Sequence, residues 1–121
     1  MAAPNKFLII DDSRVSRMKI RALLQERFPD STFQEAGTGE EGLDLARVDS
    51  PTLITIDINM PGMGGLAAAE RLRMASPDSK LVLLSANIQD SVRQRAEKLA
   101  INFVEKPVND AAIDKIIALL G

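Results

Sequence analysis

Asp11 and Asp12, Asp57, Ser85 and Lys106 each stand directly behind a short, largely apolar run of the chain. One aspartate behind such a run is usually a turn or cap residue. The set is different, because three carboxylates, a hydroxyl and an ammonium that converge would form a site. Three neighbouring carboxylates repel, so they either take up protons or enclose a cation. Lys106 can balance one charge but not three. Oxygen donors with retained waters suit a small hard cation such as Mg2+. The chain has no His and no Cys to favour zinc. A magnesium ion beside a carboxylate, a hydroxyl and a lysine can stabilise a phosphoryl group in transfer. The acceptor can itself be an aspartate, since carboxylates form acyl phosphates.

The elements that must position these residues alternate along the 121 residues, a length expected for one domain. Lys6 to Ile10, Leu53 to Ile56 and Lys80 to Leu84 are apolar runs bounded by turn residues and read as buried parallel strands; Thr32 to Ala36 and Asn102 to Glu105 are shorter, more polar strands. Between them lie helical patterns. Ser13 to Phe28 carries Val15, Met18 and Ala22 at helical spacing, widened by Leu23 and Leu24. Thr38 caps a helix to about Val48, with Glu40 and Glu41 in its first turn. Gly65 to about Ala75 holds Ala68, Leu72 and Ala75, and Asp90 to about Leu99 holds Val92, Ala96 and Leu99. Asn109 caps a last helix whose Ile113, Ile116, Ile117 and Leu120 share a face. Strict alternation predicts a doubly wound α/β sandwich of three layers, with its site beyond the carboxyl ends of the strands.

The composition narrows the chemistry. With no His, Cys, Tyr or Trp, the chain has no thiol nucleophile, no Ser-His-Asp triad and no disulfide. A net charge of −2 without a basic run speaks against nucleic-acid binding. No apolar stretch approaches the ~18 residues of a membrane span, and Met1 to Lys6 lack the apolar run of a signal peptide. A soluble, cytoplasmic protein is expected.

Over essentially its whole length the sequence resembles a response-regulator receiver domain of the stand-alone CheY-like kind. The resemblance rests on Asp11-Asp12, on Asp57 before Met60-Pro61-Gly62, on Ser85-Ala86 and on Lys106-Pro107. It implies a (βα)5 flavodoxin-like fold of strand order 2-1-3-4-5. It further implies a single receiver domain over residues 1–121 with no output domain. Asp57 would accept a phosphoryl group from a sensor histidine kinase. Asp12 would bind Mg2+ directly and Asp11 mostly through water. Asn59 would offer its backbone carbonyl to the metal and hold its side chain near the water that later attacks. Ser85 and Lys106 would bind the phosphoryl oxygens, and Ala86 is small enough to admit the group. The Lys106–Pro107 bond would be cis. Phe103 would be the switch aromatic, turning inward as Ser85 moves. A downstream protein would read the change on the fourth helix, fifth strand and fifth helix, whose exposed positions include Gln94, Arg95, Lys98, Asn102 and Glu105.

Three positions depart from the family pattern. Leu99 stands where many receivers have Gly and would be strained in a left-handed conformation, so the fourth helix is expected to end differently. Gly64 replaces a common Asp, which favours a mobile loop from Met60 to Gly65. Ser85 replaces the more frequent Thr. Chemotaxis is the family's best-known pathway, and Ser85-Ala86-Asn87-Ile88-Gln89 is similar to receivers served by CheC/CheX-type phosphatases. Other readings are a domain of a larger regulator or kinase, a phosphate shuttle or sink, and a haloacid-dehalogenase-like phosphatase. The last wants an Asp two residues beyond its nucleophile, where this chain has Asn59. With no His in the chain, the phosphoryl group must come from another protein or a small molecule.

Overall fold

The computed structural model describes residues 5–60, 64–86 and 89–120. Ten elements alternate: β1 (Lys6–Ile10), α1 (Arg14–Arg27), β2 (Thr32–Ala36), α2 (Gly39–Val48), β3 (Leu53–Asp57), α3 (Gly65–Ala75), β4 (Lys80–Ser85), α4 (Asp90–Lys98), β5 (Asn102–Glu105) and α5 (Asp110–Ala118). The strands form one sheet in the order β2-β1-β3-β4-β5, and every pairing is parallel. This is the doubly wound three-layer sandwich expected of the alternation. Ser13, Thr38 and Asn109 cap α1, α2 and α5 through their side-chain oxygens.

The pleat sorts the apolar residues between two cores. Leu8, Ile10, Ile54, Ile56, Leu81 and Leu83 face α2, α3 and α4, where Leu43, Leu72 and Ala96 meet them. Phe7, Ile9, Leu53, Val82 and Leu84 face α1 and α5, packing on Ile20, Leu24, Ile113 and Ile116. The central strands are apolar on both faces because helices cover both. At the edge, β2 alternates between exposed and partly buried positions along most of its length.

Of the face expected to turn inward on the first helix, Leu23 and Leu24 do so and the rest does not. Val15 and Met18 are 76% and 57% exposed, and Ala22 is exposed as well. The inward stripe runs from Arg17 through Ile20 and Leu24 to Phe28. Both stripes have helical spacing. The inner one is harder to recognise because it begins with an arginine whose polar end is satisfied inside the structure.

The end of α4 departs from the family pattern, as Leu99 implies. Leu99 adopts an ordinary φ of −90° and so avoids the strain of a left-handed conformation. The left-handed position falls one residue later, on Ala100 with φ 56°. Ala100 N–H donates to the Glu97 carbonyl and Ile101 N–H to the Ala96 carbonyl, which together make a Schellman cap. Ile101 and Ala96 join the same buried cluster, as that motif prefers. The register of the cap follows from where Ile101 must be buried, not from where a family glycine would fall.

Two substitutions test these local readings. Ala100→Gly is expected to raise stability by about 0.5–1 kcal/mol, because glycine occupies the left-handed position without a Cβ clash. The Thr55 hydroxyl is buried in β3 with no hydrogen-bond partner. Thr55→Val should therefore stabilise the fold by about 1 kcal/mol. Urea unfolding followed by circular dichroism measures both, and a loss of stability in either variant contradicts the reading of that position.

Candidate functional site

The site is built by the last rungs of the sheet. Asp11 N–H donates to the Ala36 carbonyl at 3.0 Å, extending the β1–β2 ladder by one residue. Ile58 N–H reaches the Leu84 carbonyl at 3.0 Å, and Lys106 N–H reaches the Ser85 carbonyl at 2.9 Å. Ile10 pairs with Ile56, so the residues that follow, Asp11 and Asp57, leave two neighbouring strands side by side. Asp57 pairs with Leu84, which puts Ser85 one step beyond on the next strand. Strand order and register thus bring together residues far apart in sequence.

Carboxylate oxygens of Asp11, Asp12 and Asp57 lie within 4.8 Å of one another. Asp11 and Asp57 are buried, whereas Asp12 is exposed at the mouth. Lys106 Nζ stands 3.3 Å from Asp11 Oδ2 and 3.3 Å from Asp57 Oδ1. Ser85 is fully buried at the end of β4, Ala86 beside it is exposed, and Asn59 is exposed with its N–H 3.4 Å from Asp57 Oδ1. The Lys106–Pro107 bond is cis. The Pro61-Gly62 part of the motif after Asp57, residues 61–63 of the Met60 to Gly65 loop and Asn87-Ile88 lie outside the described residues.

Burial pushes the Asp57 carboxyl above its ordinary value. Lys106 opposes that shift, and the negative charge of Asp11 reinforces it. A buried carboxylate in this surrounding is short of positive charge. Every donor atom of the cluster is an oxygen, with no nitrogen or sulfur ligand beside it, and the exposed Asp12 gives access from solvent. These features fit a hard divalent cation such as Mg2+.

Three supporting residues were not visible in the sequence pattern. Gly65 opens α3 so close to β3 that an added Cβ would lie 2.3 Å from the Asp57 carbonyl oxygen. The Gly64-Gly65 pair was its only signal. Arg93 stacks over the half-buried Phe103 ring, 4.7 Å from its centre. Phe103 and Arg93 line a crevice under α4 that also includes Ile58, Leu83, Ser85, Val92 and Ala96. Arg17 reaches from α1 to the Asp11 carbonyl. Gln94, Arg95, Lys98, Asn102 and Glu105 are exposed on α4 and β5, and Arg95 is ion-paired with Glu70 on α3.

The family model for the response regulator receiver domain matches residues 7–118. The chain belongs to this family. It is 30% identical over 111 residues to a protein-glutamate methylesterase/protein-glutamine glutaminase of Oleidesulfovibrio alaskensis, covering 90% of this chain and 30% of that relative. The receiver domain thus spans under a third of that relative's length. Among solved structures, chemotaxis protein CheY4 of Vibrio cholerae superposes with a TM-score of 0.87 at 24% identity, covering 98% of this chain and all of that one. A response regulator of Burkholderia pseudomallei, solved with a phosphorylated aspartic acid, a calcium ion and citrate, gives a TM-score of 0.82 at 26% identity over 93% of this chain and 65% of that one. No helix among the described residues of the receiver domain is long and apolar enough to cross a membrane.

The raised Asp57 carboxyl carries a sign for stability. Between the ordinary carboxylate value and the raised one, the folded state binds more protons here than the unfolded state. The group therefore lowers stability as pH rises through that window. Without metal at pH 7, Asp57→Asn should be more stable than the parent by on the order of 1 kcal/mol. The difference should shrink as the pH falls from 7 toward the ordinary carboxylate value of about 4. Urea titrations in EDTA across that range check it, and an Asp57→Asn variant less stable than the parent at pH 7 contradicts it.

Proposed function

We propose that this receiver domain accepts a phosphoryl group on Asp57 with the help of Mg2+ and passes the signal by a change of conformation. The observation that carries the reading is the buried Asp57 carboxylate, 3.3 Å from Lys106 and within 4.8 Å of two further carboxylates. The phosphorylated aspartic acid and calcium ion of the Burkholderia pseudomallei relative support it.

An Asp57 oxygen attacks phosphorus, a P–O bond forms to the carboxylate, and the bond from phosphorus to the donor breaks. The donor nitrogen or oxygen leaves with that electron pair. The Asp12 and Asp57 carboxylates and the Asn59 carbonyl would hold the cation, with Asp11 acting through water, and the ion would supply positive charge to the phosphoryl oxygens. Lys106 already bridges Asp11 and Asp57, so it can transfer one contact to a phosphoryl oxygen without leaving the site. Ser85 donates its hydroxyl to a second oxygen, and Ala86 leaves room for the group. The exposed Asn59 side chain stands on the path of the water that hydrolyses the acyl phosphate and tunes its lifetime.

The proposed donor is a sensor histidine kinase, as membership of the response regulator receiver family implies. Phe103 communicates the change. Its ring sits half-buried on the crevice that Ser85 also lines, so a shift of Ser85 toward phosphate makes room for the ring to turn in. The reporting surface is α4, β5 and α5, where a downstream protein docks, with a phosphatase as a further partner. Motility signalling is the pathway we propose; the chemotaxis protein CheY4 of Vibrio cholerae shares the fold. The chain acts as a switch; its only chemistry is phosphotransfer to Asp57 and hydrolysis of the product.

Incubation with acetyl phosphate and Mg2+ should phosphorylate the parent at Asp57, as mass spectrometry reads it. Asp57→Asn should not be labelled, and EDTA should prevent labelling of the parent. Labelling of the variant equal to that of the parent sinks the assignment.

A further inference from the structure

Asp11 is tied at every polar atom. Its N–H donates to Ala36, Oδ1 accepts from Ser13 N–H at 2.9 Å, Oδ2 accepts from Lys106 at 3.3 Å, and its carbonyl accepts from Arg17 Nη1 at 2.7 Å. The last contact is the unusual one. Arg17 lies on α1 with its side chain only 17% exposed, and its Nε donates to Glu35 Oε1 on β2 at 3.0 Å. Arg21 holds the other Glu35 oxygen at 3.0 Å but is not bonded to Asp11. Burial alone would push the Glu35 carboxyl up. Hydrogen bonds from Arg21 and Arg17 outweigh it and hold the group below its ordinary value, so the anchor stays charged.

The carbonyl that Arg17 grips belongs to the peptide unit joining Asp11 to Asp12. That unit is planar, so fixing its oxygen fixes the direction in which the backbone enters Asp12. Asp12 is the exposed carboxylate of the cluster. A partly buried ion pair spanning α1 and β2 is weak evidence for stability. Here its guanidinium does something an apolar pair could not, since one planar fork serves a carboxylate and a backbone carbonyl together.

We propose that Arg17 is a positioning residue for the cation site: anchored on Glu35, it holds the Asp11–Asp12 peptide so that the Asp12 carboxylate is aimed at the metal before the metal arrives. This rests on the reading of Asp12 as a cation ligand. Arg17→Lys removes the planar fork, so a single nitrogen would have to serve both Glu35 and the carbonyl in place of the two that now do so. Arginine 21 shares the anchor without touching the acidic loop and so supplies the control.

The test is Mg2+ titration of the purified chain by calorimetry, with urea unfolding alongside. Arg17→Met should bind Mg2+ about tenfold more weakly. Arg17→Lys, which keeps a cation near Glu35, should remain weakened while staying folded. Arg21→Met should lose stability yet bind Mg2+ as the parent does. A parent that binds Mg2+ while both Arg17 variants match it within about twofold overturns the role of Arg17 alone. Equal weakening in Arg21→Met also overturns it, by tracing the effect to the Glu35 pair. A parent that binds no Mg2+ overturns the cation site and this inference together.

Discussion

Three carboxylates held within 4.8 Å of one another, with one ammonium among them, are the constraint on which the receiver domain is organised. Left to themselves they would separate. They stay because each is fixed to a rigid scaffold: Asp11 and Asp57 terminate adjacent strands, and those strands are buried on both faces by isoleucine and leucine. The cores on the two sides of the sheet work against the repulsion at its end. Unmet charge is therefore a standing property of the fold without metal, and any group that brings positive charge to this edge is favoured by the whole sheet.

The same rungs that gather the acids also carry the consequences outward. Lys106 binds Ser85 through its backbone and two aspartates through its side chain, so one residue joins β4, the acid cluster and the exit from β5. Phe103 lies three residues upstream on β5, with its ring against Arg93 of α4. A rearrangement at the acids can thus reach a surface helix through a single strand and one stacked ring. No long chain of intermediates is needed. Phe103, Arg93 and Ser85 line one crevice beneath α4.

Much of this was legible in the sequence, for physical reasons. The strands were readable because parallel strands covered on both faces must be apolar throughout, and they end where polar residues appear. Helix ends were readable where Ser13, Thr38 and Asn109 supply capping oxygens. The acid cluster was readable as a list of strand-end residues, but its spacing was not. That needed the strand order, which came from resemblance to a family and not from periodicity. The face of α1 was misread because an inward arginine looks, in sequence, like a solvent residue. The left-handed residue after α4 falls on Ala100, one beyond the position of the family's glycine, because the burial of Ile101 sets the register of the cap.

The positions whose role local patterns do not disclose have something in common. Arg17 and Gly65 each break a local rule, a charge facing inward or a glycine opening a helix, and each touches a residue of the acid cluster: Arg17 the Asp11 carbonyl, Gly65 the Asp57 carbonyl. Ala100 breaks another, a non-glycine residue at positive φ, and its carbonyl accepts from Arg73 of α3, which ties the end of α4 to its neighbour. Local patterns report what a segment would do alone. They fail where a backbone atom of a functional loop or helix end is held by something distant in sequence. In this receiver domain those failures mark the contacts that aim the acids and seat α4, so the errors of pattern reading point to the same machinery as its successes.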